Sequence, residues 1–174
     1  MLAGRGDEAA AEAFVRRTLP DVRRFCVHLV GPVHADDAVQ ATYLRALRAA
    51  RRFRGESSAR TWLLGVARHT CLDELRSGGR RTRLQKRIET ERPAEAVHDR
   101  PPAHEEHLRF AVRSLDLPRR EAFVLTQVLG YSYEEAAAVA GCPIGTIRSR
   151  VARARMELQV ALGAAPPAGA AVAG

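Results

Sequence analysis

Ser132-Tyr133-Glu134-Glu135-Ala-Ala-Ala-Val-Ala140, then Gly141-Cys142-Pro143, then Ile144-Gly145-Thr146-Ile147-Arg148-Ser149-Arg150-Val151-Ala152-Arg153-Ala154-Arg155 decide how the chain reads. Ser132 with Glu135 three residues on is a capping-box pattern and starts a helix that runs to Ala140. Gly141-Cys142-Pro143 is a tight turn whose proline can sit in the first turn of the next helix. That helix, from Pro143 to about Leu162, carries Ile144, Ile147, Val151, Ala154 and Leu158 on one face. Arg148, Ser149, Ala152, Arg153 and Gln159 fall on other faces, available to a major groove. Gly145-Thr146 lets backbone approach phosphate where helix N–H groups favour an anion. Two short helices joined by such a turn form a helix-turn-helix. An arginine-rich helix is often only a solvated face, but here cap, turn and helix lengths all fit a DNA-binding template.

Working back towards the N-terminus, the spacing predicts a helix over Leu108 to Leu117 closed by Pro118, and another over Arg119 to Gly130. The first helix of the chain spans Asp7 to Val30, with Phe14, Val15, Leu19, Val22, Phe25, Cys26 and Leu29 at helical spacing. Pro20 either kinks it or starts its second half, and Gly31-Pro32 ends it. A second helix from about Ala35 to Arg51 has Ala38, Val39, Tyr43, Leu44 and Leu47 as its buried stripe. Arg54-Gly55-Glu56-Ser57-Ser58 is a turn, and Ser57 or Ser58 caps a third helix. That helix buries Trp62, Leu63, Val66, Ala67 and Leu72 or Leu75, and stops at Ser77-Gly78-Gly79.

Composition supports an all-α chain of 174 residues, Ala-rich and with only 5% aromatic residues. No run of 18 apolar residues occurs and the first residues lack a signal-peptide core, so the expectation is a soluble cytoplasmic protein with no membrane partner. The net charge is +8, and every basic residue except Lys86 is arginine. GC-rich coding accounts for arginine over lysine, but not for the excess of positive charge, which points to nucleic acid. Charge divides the chain. Residues 1–87 carry net +9, residues 88–107 net −4 with Pro93, Pro101 and Pro102, and residues 108–174 net +3. Two small helical domains, 7–80 and 108–162, are therefore expected, joined by a flexible acidic linker over 81–107 and followed by a disordered tail over 163–174. Cys26, Cys71 and Cys142 are isolated and odd in number, which argues for buried free thiols rather than a disulfide framework. His104-Glu-Glu-His107 has its histidines three apart, not the four of a zinc-protease helix. With no phosphate loop, nucleophile elbow or acid/base pair, no catalytic residue, cofactor or metal is expected.

Leu115-Asp-Leu-Pro118, Arg120-Glu121, Gly130-Tyr-Ser132-Tyr-Glu134-Glu-Ala136-Ala137 and Gly145-Thr-Ile-Arg-Ser-Arg150 with Arg153-Ala-Arg155 resemble the region 4 helix-turn-helix of bacterial sigma factors. Asp36-Asp37-Ala-Val-Gln40-Ala-Thr-Tyr43-Leu-Arg45-Ala46 resembles their region 2.2. Phe53-Arg54-Gly55-Glu56-Ser57, Trp62-Leu63 and Asp73-Glu-Leu-Arg76 resemble regions 2.3 and 2.4. Both sets stand in the family's order, and having only these two domains marks the extracytoplasmic-function (ECF, group 4) subfamily of the sigma-70 family.

The resemblance implies a transcription initiation factor that joins RNA polymerase core and reads a −35 duplex and a melted −10 strand. Thr146, Arg148, Ser149, Arg150 and Arg153 match the −35 positions, arginine being the natural partner of guanine O6/N7. Arg54, Gly55, Glu56, Ser57, Arg60, Trp62, His69 and Arg76 match the −10 surface, where a flipped base needs a pocket. Many members carry Asn at the position of His69, so its implied role is base reading, against a plain surface role. Trp62 lies on the apolar stripe and so reads as core rather than as a melting wedge. Arg51, Arg52, Arg80 and Arg81 would join Arg54, Arg60 and Arg76 in neutralising phosphates. Asp36, Asp37, Gln40, Tyr43 and Arg45 match the face that docks on the clamp helices of the β′ subunit, with the β subunit as a further contact. Asp36 and Asp37 also suit a helix start. Ala38, Ala41 and Ala152 depart from the Leu, Glu and aromatic residue common at those positions. The acidic stretch would thread towards the RNA exit channel, and the subfamily suggests an anti-sigma partner. A self-standing operator-binding regulator is the alternative, but it leaves Asp36–Ala46 and the Trp62 helix without a purpose.

Overall fold

The computed structural model describes residues 8–85 and 103–163, with side chains over 8–78 and 108–163. The described residues are helical with turns between. Helix α1 spans Glu8–Val30, α2 Pro32–Ala49, α3 Ala59–Gln85, α4 Ala103–Ser114, α5 Leu117–Phe123, α6 Tyr133–Ala140 and α7 Ile144–Ala161. Of the expected linker 81–107 and tail 163–174, residues 86–102 and 164–174 lie outside the described residues, whereas 81–85 and 103–107 are not linker but the end of α3 and the start of α4.

In the first half, α1, α2 and α3 pack on one another around Val22, Phe25, Cys26, Leu29, Leu63, Leu64 and Cys71. Pro20 sits within an unbroken α1. Gly31, at φ 85°, reverses the chain in the left-handed region that favours glycine, and Pro32 opens α2. A 3₁₀ turn over Ala50–Arg52 follows α2. Of the two candidate caps, Ser58 is the one used: its Oγ accepts from the Thr61 N–H at 3.0 Å.

Several expectations are corrected. Helix α3 does not stop at Ser77-Gly78-Gly79 but continues to Gln85. Two mid-helix glycines cost only about 1 kcal/mol each, and the Arg, Leu and Gln residues that follow are good helix formers. Leu44 and Leu47 are not core: they are 51% and 48% exposed, while Ala35, Ala38, Val39, Thr42, Tyr43 and Ala46 face inward. The small Ala and Thr side chains let α2 lie close on its neighbours, which turns the larger leucines outward. Leu19, Leu75 and Ile144 are also more exposed than the spacing predicts. Trp62 is only half-buried, whereas Leu63, Leu64, Ala67 and Cys71 fill the core beneath it.

In the second half, Pro118 starts a helix rather than closing one. Helix α4 ends at Ser114, and Asp116 caps α5 by accepting from the Arg119 N–H at 2.9 Å, with Pro118 in the first turn. The expected Arg119–Gly130 helix is α5 followed by a wider π turn over Val124–Val128, ended by Gly130 at φ 70°. The capping box is fully formed. Ser132 Oγ accepts from the Glu135 N–H at 3.1 Å and Glu135 Oε2 accepts from the Ser132 N–H at 2.9 Å. Gly141 closes α6 at φ 65°, and Ile147, Val151, Ala154 and Leu158 of α7 are buried.

The two halves pack on each other, α3 against α6 and α1 against α4 and α5. Arg68 of α3 pairs with Glu121 of α5. Arg120 donates to the carbonyls of Leu29 (3.3 Å) and Leu115 (2.9 Å), tying the end of α1 to the second half.

Candidate nucleic-acid and polymerase interface

The loop between α2 and α3 makes a cavity. Arg52, Phe53, Arg54, Glu56, Ser57 and Trp62 line about 300 Å³ of space. The Phe53 and Trp62 rings stand 5.1 Å apart at 56°. Gly55 at φ 75° forms the bend with open space where a Cβ would be. Trp62 therefore presents half an indole to the cavity instead of filling the core, a placement that periodicity could not distinguish because Leu63 and Leu64 are its immediate neighbours. Two aromatic faces beside arginines suit an unstacked base with its phosphates. His69, two turns further along α3, is exposed, with Nδ1 2.7 Å from the Gly65 carbonyl. Arg76 is exposed and 3.6 Å from Asp73. Arg51 is exposed on the turn before the loop, while the side chains of Arg80 and Arg81 lie outside the described residues.

Arg60 is placed differently. Its Nε donates to Asp21 at 2.8 Å and its Nη2 to the Leu129 carbonyl at 3.3 Å, and its guanidinium lies 4.2 Å over the Tyr131 ring. Next to it, the Thr61 hydroxyl donates to Glu135 Oε1 at 3.4 Å. The start of α3 is thus engaged by the second half of the chain. Burial raises the Tyr131 phenol well above its ordinary range, against the Arg60 charge.

On α7, Arg148, Ser149, Ala152 and Arg153 are exposed together. Ser149 Oγ donates to the Thr146 carbonyl at 3.0 Å, and Thr146 itself is half-buried at the helix start. Arg150 turns the other way, donating from Nη1 to Cys142 Sγ at 3.6 Å. Its charge reaches Glu121. Arg155, which sequence reasoning left without a role, donates to Gln127 Oε1 at 2.5 Å. The helix thus offers two exposed guanidiniums, Arg148 with its charge acting on Glu134, and a small gap at Ala152.

The third surface runs along α2. Val33, Asp37, Gln40, Leu44 and Leu47 follow alternating four- and three-residue steps and are all exposed, Val33 at 51%. This is the spacing of a seam that meets another helix. Beside it Arg45 donates to Asp73 at 2.8 Å and to Thr70 at 3.4 Å. A groove of about 420 Å³ lies there, lined by residues including Asp37, Ala41, Arg45 and Asp73. Asp36 accepts from Arg23 at 3.2 Å. Tyr43 is not brought to this face: it is buried, its hydroxyl 2.8 Å from Thr18 Oγ1, and burial raises its pKa. Sequence reasoning missed Val33, Leu44 and Leu47 as surface residues. The signal that could have found them was the 33-37-40-44-47 spacing itself.

Comparison with known families agrees with the order of these surfaces. The family description Sigma-70 region 2 matches residues 14–81, and Sigma-70, region 4 matches residues 106–158. The ECF RNA polymerase sigma factor SigC of Mycobacterium tuberculosis is 46% identical over 163 residues, which cover 90% of this chain and 85% of that protein. The chain belongs to the sigma-70 family. Among solved structures, the sigma factor RpoE of Bartonella quintana, in complex with the anti-sigma factor NepR, has a TM-score of 0.75 at 32% identity. The alignment covers 87% of this chain and 96% of that one. CnrH, in complex with the cytosolic domain of CnrY, has a TM-score of 0.72 at 26% identity, with 92% of each chain covered. This sigma factor is of the ECF type, an RNA polymerase factor that directs initiation to promoters. Its loop cavity and α2 seam lie in region 2, its helix-turn-helix is region 4, and no described helix is long and apolar enough to cross a membrane.

Proposed function

We propose that this sigma factor is a group 4 member that reads promoters with two separate surfaces and docks on polymerase with a third. The observation that carries the reading is the cavity lined by Phe53 and Trp62, set among Arg52, Arg54 and Ser57 on the region 2 loop. A melted strand offers what such a cavity fits: a base to stack and phosphates to pair. Gly55, Glu56 and His69 border the path of that strand, and Arg76 continues the basic track. The −35 duplex is read by Arg148, Ser149 and Arg153, with Thr146 at the helix N-terminus against phosphate. Arg150 supports the turn from behind.

The α2 seam meets the β′ clamp helices through Val33, Leu44 and Leu47, with Asp37 and Gln40 between them and Arg45 at the edge. Region 4 contacts the β subunit. Release of Arg60 from Asp21, Leu129 and Tyr131 accompanies engagement of the −10 strand. The protein acts in the cytoplasm, where polymerase is, and works by binding rather than catalysis. An anti-sigma partner is supported by the complexes of RpoE with NepR and of CnrH with CnrY.

The test is run-off transcription with purified core polymerase, with and without the protein, on a library of candidate promoters. Core-dependent, sequence-selective transcripts are expected. Specific duplex binding by the protein alone, without transcripts, would overturn the reading in favour of an operator-binding regulator.

A further inference from the structure

Two of the three cysteines meet inside region 2. Cys26 of α1 and Cys71 of α3 are both fully buried. Their sulfurs lie 3.7 Å apart, with the Cys71 thiol donating to Cys26. Sulfurs in contact can serve simply as small core groups. These two, however, sit on different helices 45 residues apart and face each other. A disulfide bond is about 2.05 Å long, so closing one asks for an approach of about 1.7 Å, within reach of side-chain rotation and a small helix shift.

We propose that Cys26 and Cys71 form a modification site, a dithiol that hydrogen peroxide converts to an intramolecular disulfide stapling α1 to α3. In the first step a thiolate attacks one peroxide oxygen. The O–O bond breaks, a sulfenic acid forms and hydroxide leaves. In the second, the partner thiolate attacks that sulfur, the S–S bond forms and a second hydroxide leaves. The two thiols lose two electrons and two protons, and the peroxide departs as two waters.

Burial sets both the rate and the choice of oxidant. The hydrogen bond to Cys26, followed by burial, raises the Cys71 thiol far above its ordinary range, so little thiolate is present. The reaction is slow and waits for local opening of the core. An uncharged oxidant little larger than water can enter such an opening, whereas a bulky disulfide reagent needs a much larger one. The staple then closes a long loop onto α3, the helix that carries Trp62 and His69.

The test exposes the full chain to hydrogen peroxide, alkylates it after denaturation and reads it by mass spectrometry. The expected product is lighter by two hydrogens, carries no alkyl group at either residue, contains a linked Cys26–Cys71 peptide and reverts with dithiothreitol. Its melting temperature rises by about 5 °C or more. A Cys142→Ser variant forms the same link, which separates it from chemistry at the third thiol, and oxidised glutathione forms it much more slowly than peroxide. Recovery of alkylated Cys26 and Cys71 after prolonged peroxide, or sulfinic acid at either without a link, would overturn the proposal. Equal rates with peroxide and oxidised glutathione would overturn the size selection.

Discussion

Arg68 on α3 and Glu121 on α5 form an ion pair across the junction between region 2 and region 4, with the Glu121 side chain 4% exposed and that of Arg68 21%. Burial pushes the Glu121 carboxyl above the ordinary carboxylate range, and the Arg68 charge and hydrogen bond pull it back. Removing one partner of a buried pair leaves an uncompensated charge, which costs about 3 kcal/mol or more. Arg68→Ala should therefore loosen the docked arrangement strongly, while Glu121→Gln, which removes the charge and keeps the shape, should loosen it less. Small-angle scattering of the free protein checks the order: equal radii of gyration for the two variants would contradict it.

The raised Glu121 value also fixes a direction with pH. An acid whose folded pKa exceeds its unfolded pKa adds stability as pH falls through the folded value, and the gain is complete below the unfolded one. His28 works in the opposite sense. Its pKa is lowered from 6.5 to about 4 by burial and then by the charges of Arg109, Arg24, Arg120 and Arg113. The unfolded chain takes up that proton first, so stability should fall as pH drops from about 6.5 towards 4. Thermal melts of the wild type and a His28→Gln variant across this range measure the effect. The variant should show a flatter acid limb, and superimposable curves would remove His28 from the account.

Trp62→Ala removes one wall of the loop cavity while leaving Leu63 and Leu64 in the core. Stacking of a base on an aromatic ring contributes about 1–3 kcal/mol. Holoenzyme carrying the variant should bind a single-stranded −10 fragment roughly 5- to 150-fold more weakly, with little change on a −35 duplex. A loss on both probes alike would point to misfolding, which circular dichroism would reveal.

Arg153→Ala acts on the other probe. A bidentate contact to guanine is worth about 1–3 kcal/mol of discrimination. The variant should lose preference at one base of the −35 element and keep its −10 behaviour. Footprinting with promoter variants reads the result, and unchanged selectivity would exclude Arg153 from base reading.

Leu44→Glu and Leu47→Glu place charge on a half-exposed seam, so the monomer should keep its fold. Binding to core polymerase should weaken at least tenfold, about 1.4 kcal/mol. Competition against another sigma factor for core checks this. Full competitiveness would rule out the seam as the polymerase contact.

Much was legible from sequence because it depends on neighbours within four residues. The Ser132–Glu135 box, the Gly141 reversal, a serine cap at Ser57 or Ser58 and the buried line Ile147, Val151, Ala154 and Leu158 all follow from local backbone chemistry and helical period. The two helical units were legible in the blocks of charge along the chain, and the exposed arginines Arg148 and Arg153 in the period of α7.

Tertiary structure alone decided the rest. Whether Leu44 and Leu47 or Ala38, Thr42 and Ala46 face the core depends on how closely α1 and α3 approach α2, and small residues win where helices pack tightly. Trp62 turns to Phe53 because Leu63 and Leu64 already fill the interior. The pairing of Arg68 with Glu121 and of Cys26 with Cys71 joins residues 53 and 45 positions apart. Period and capping act within a turn or two of helix, whereas contacts of that range are set by the packing of whole helices.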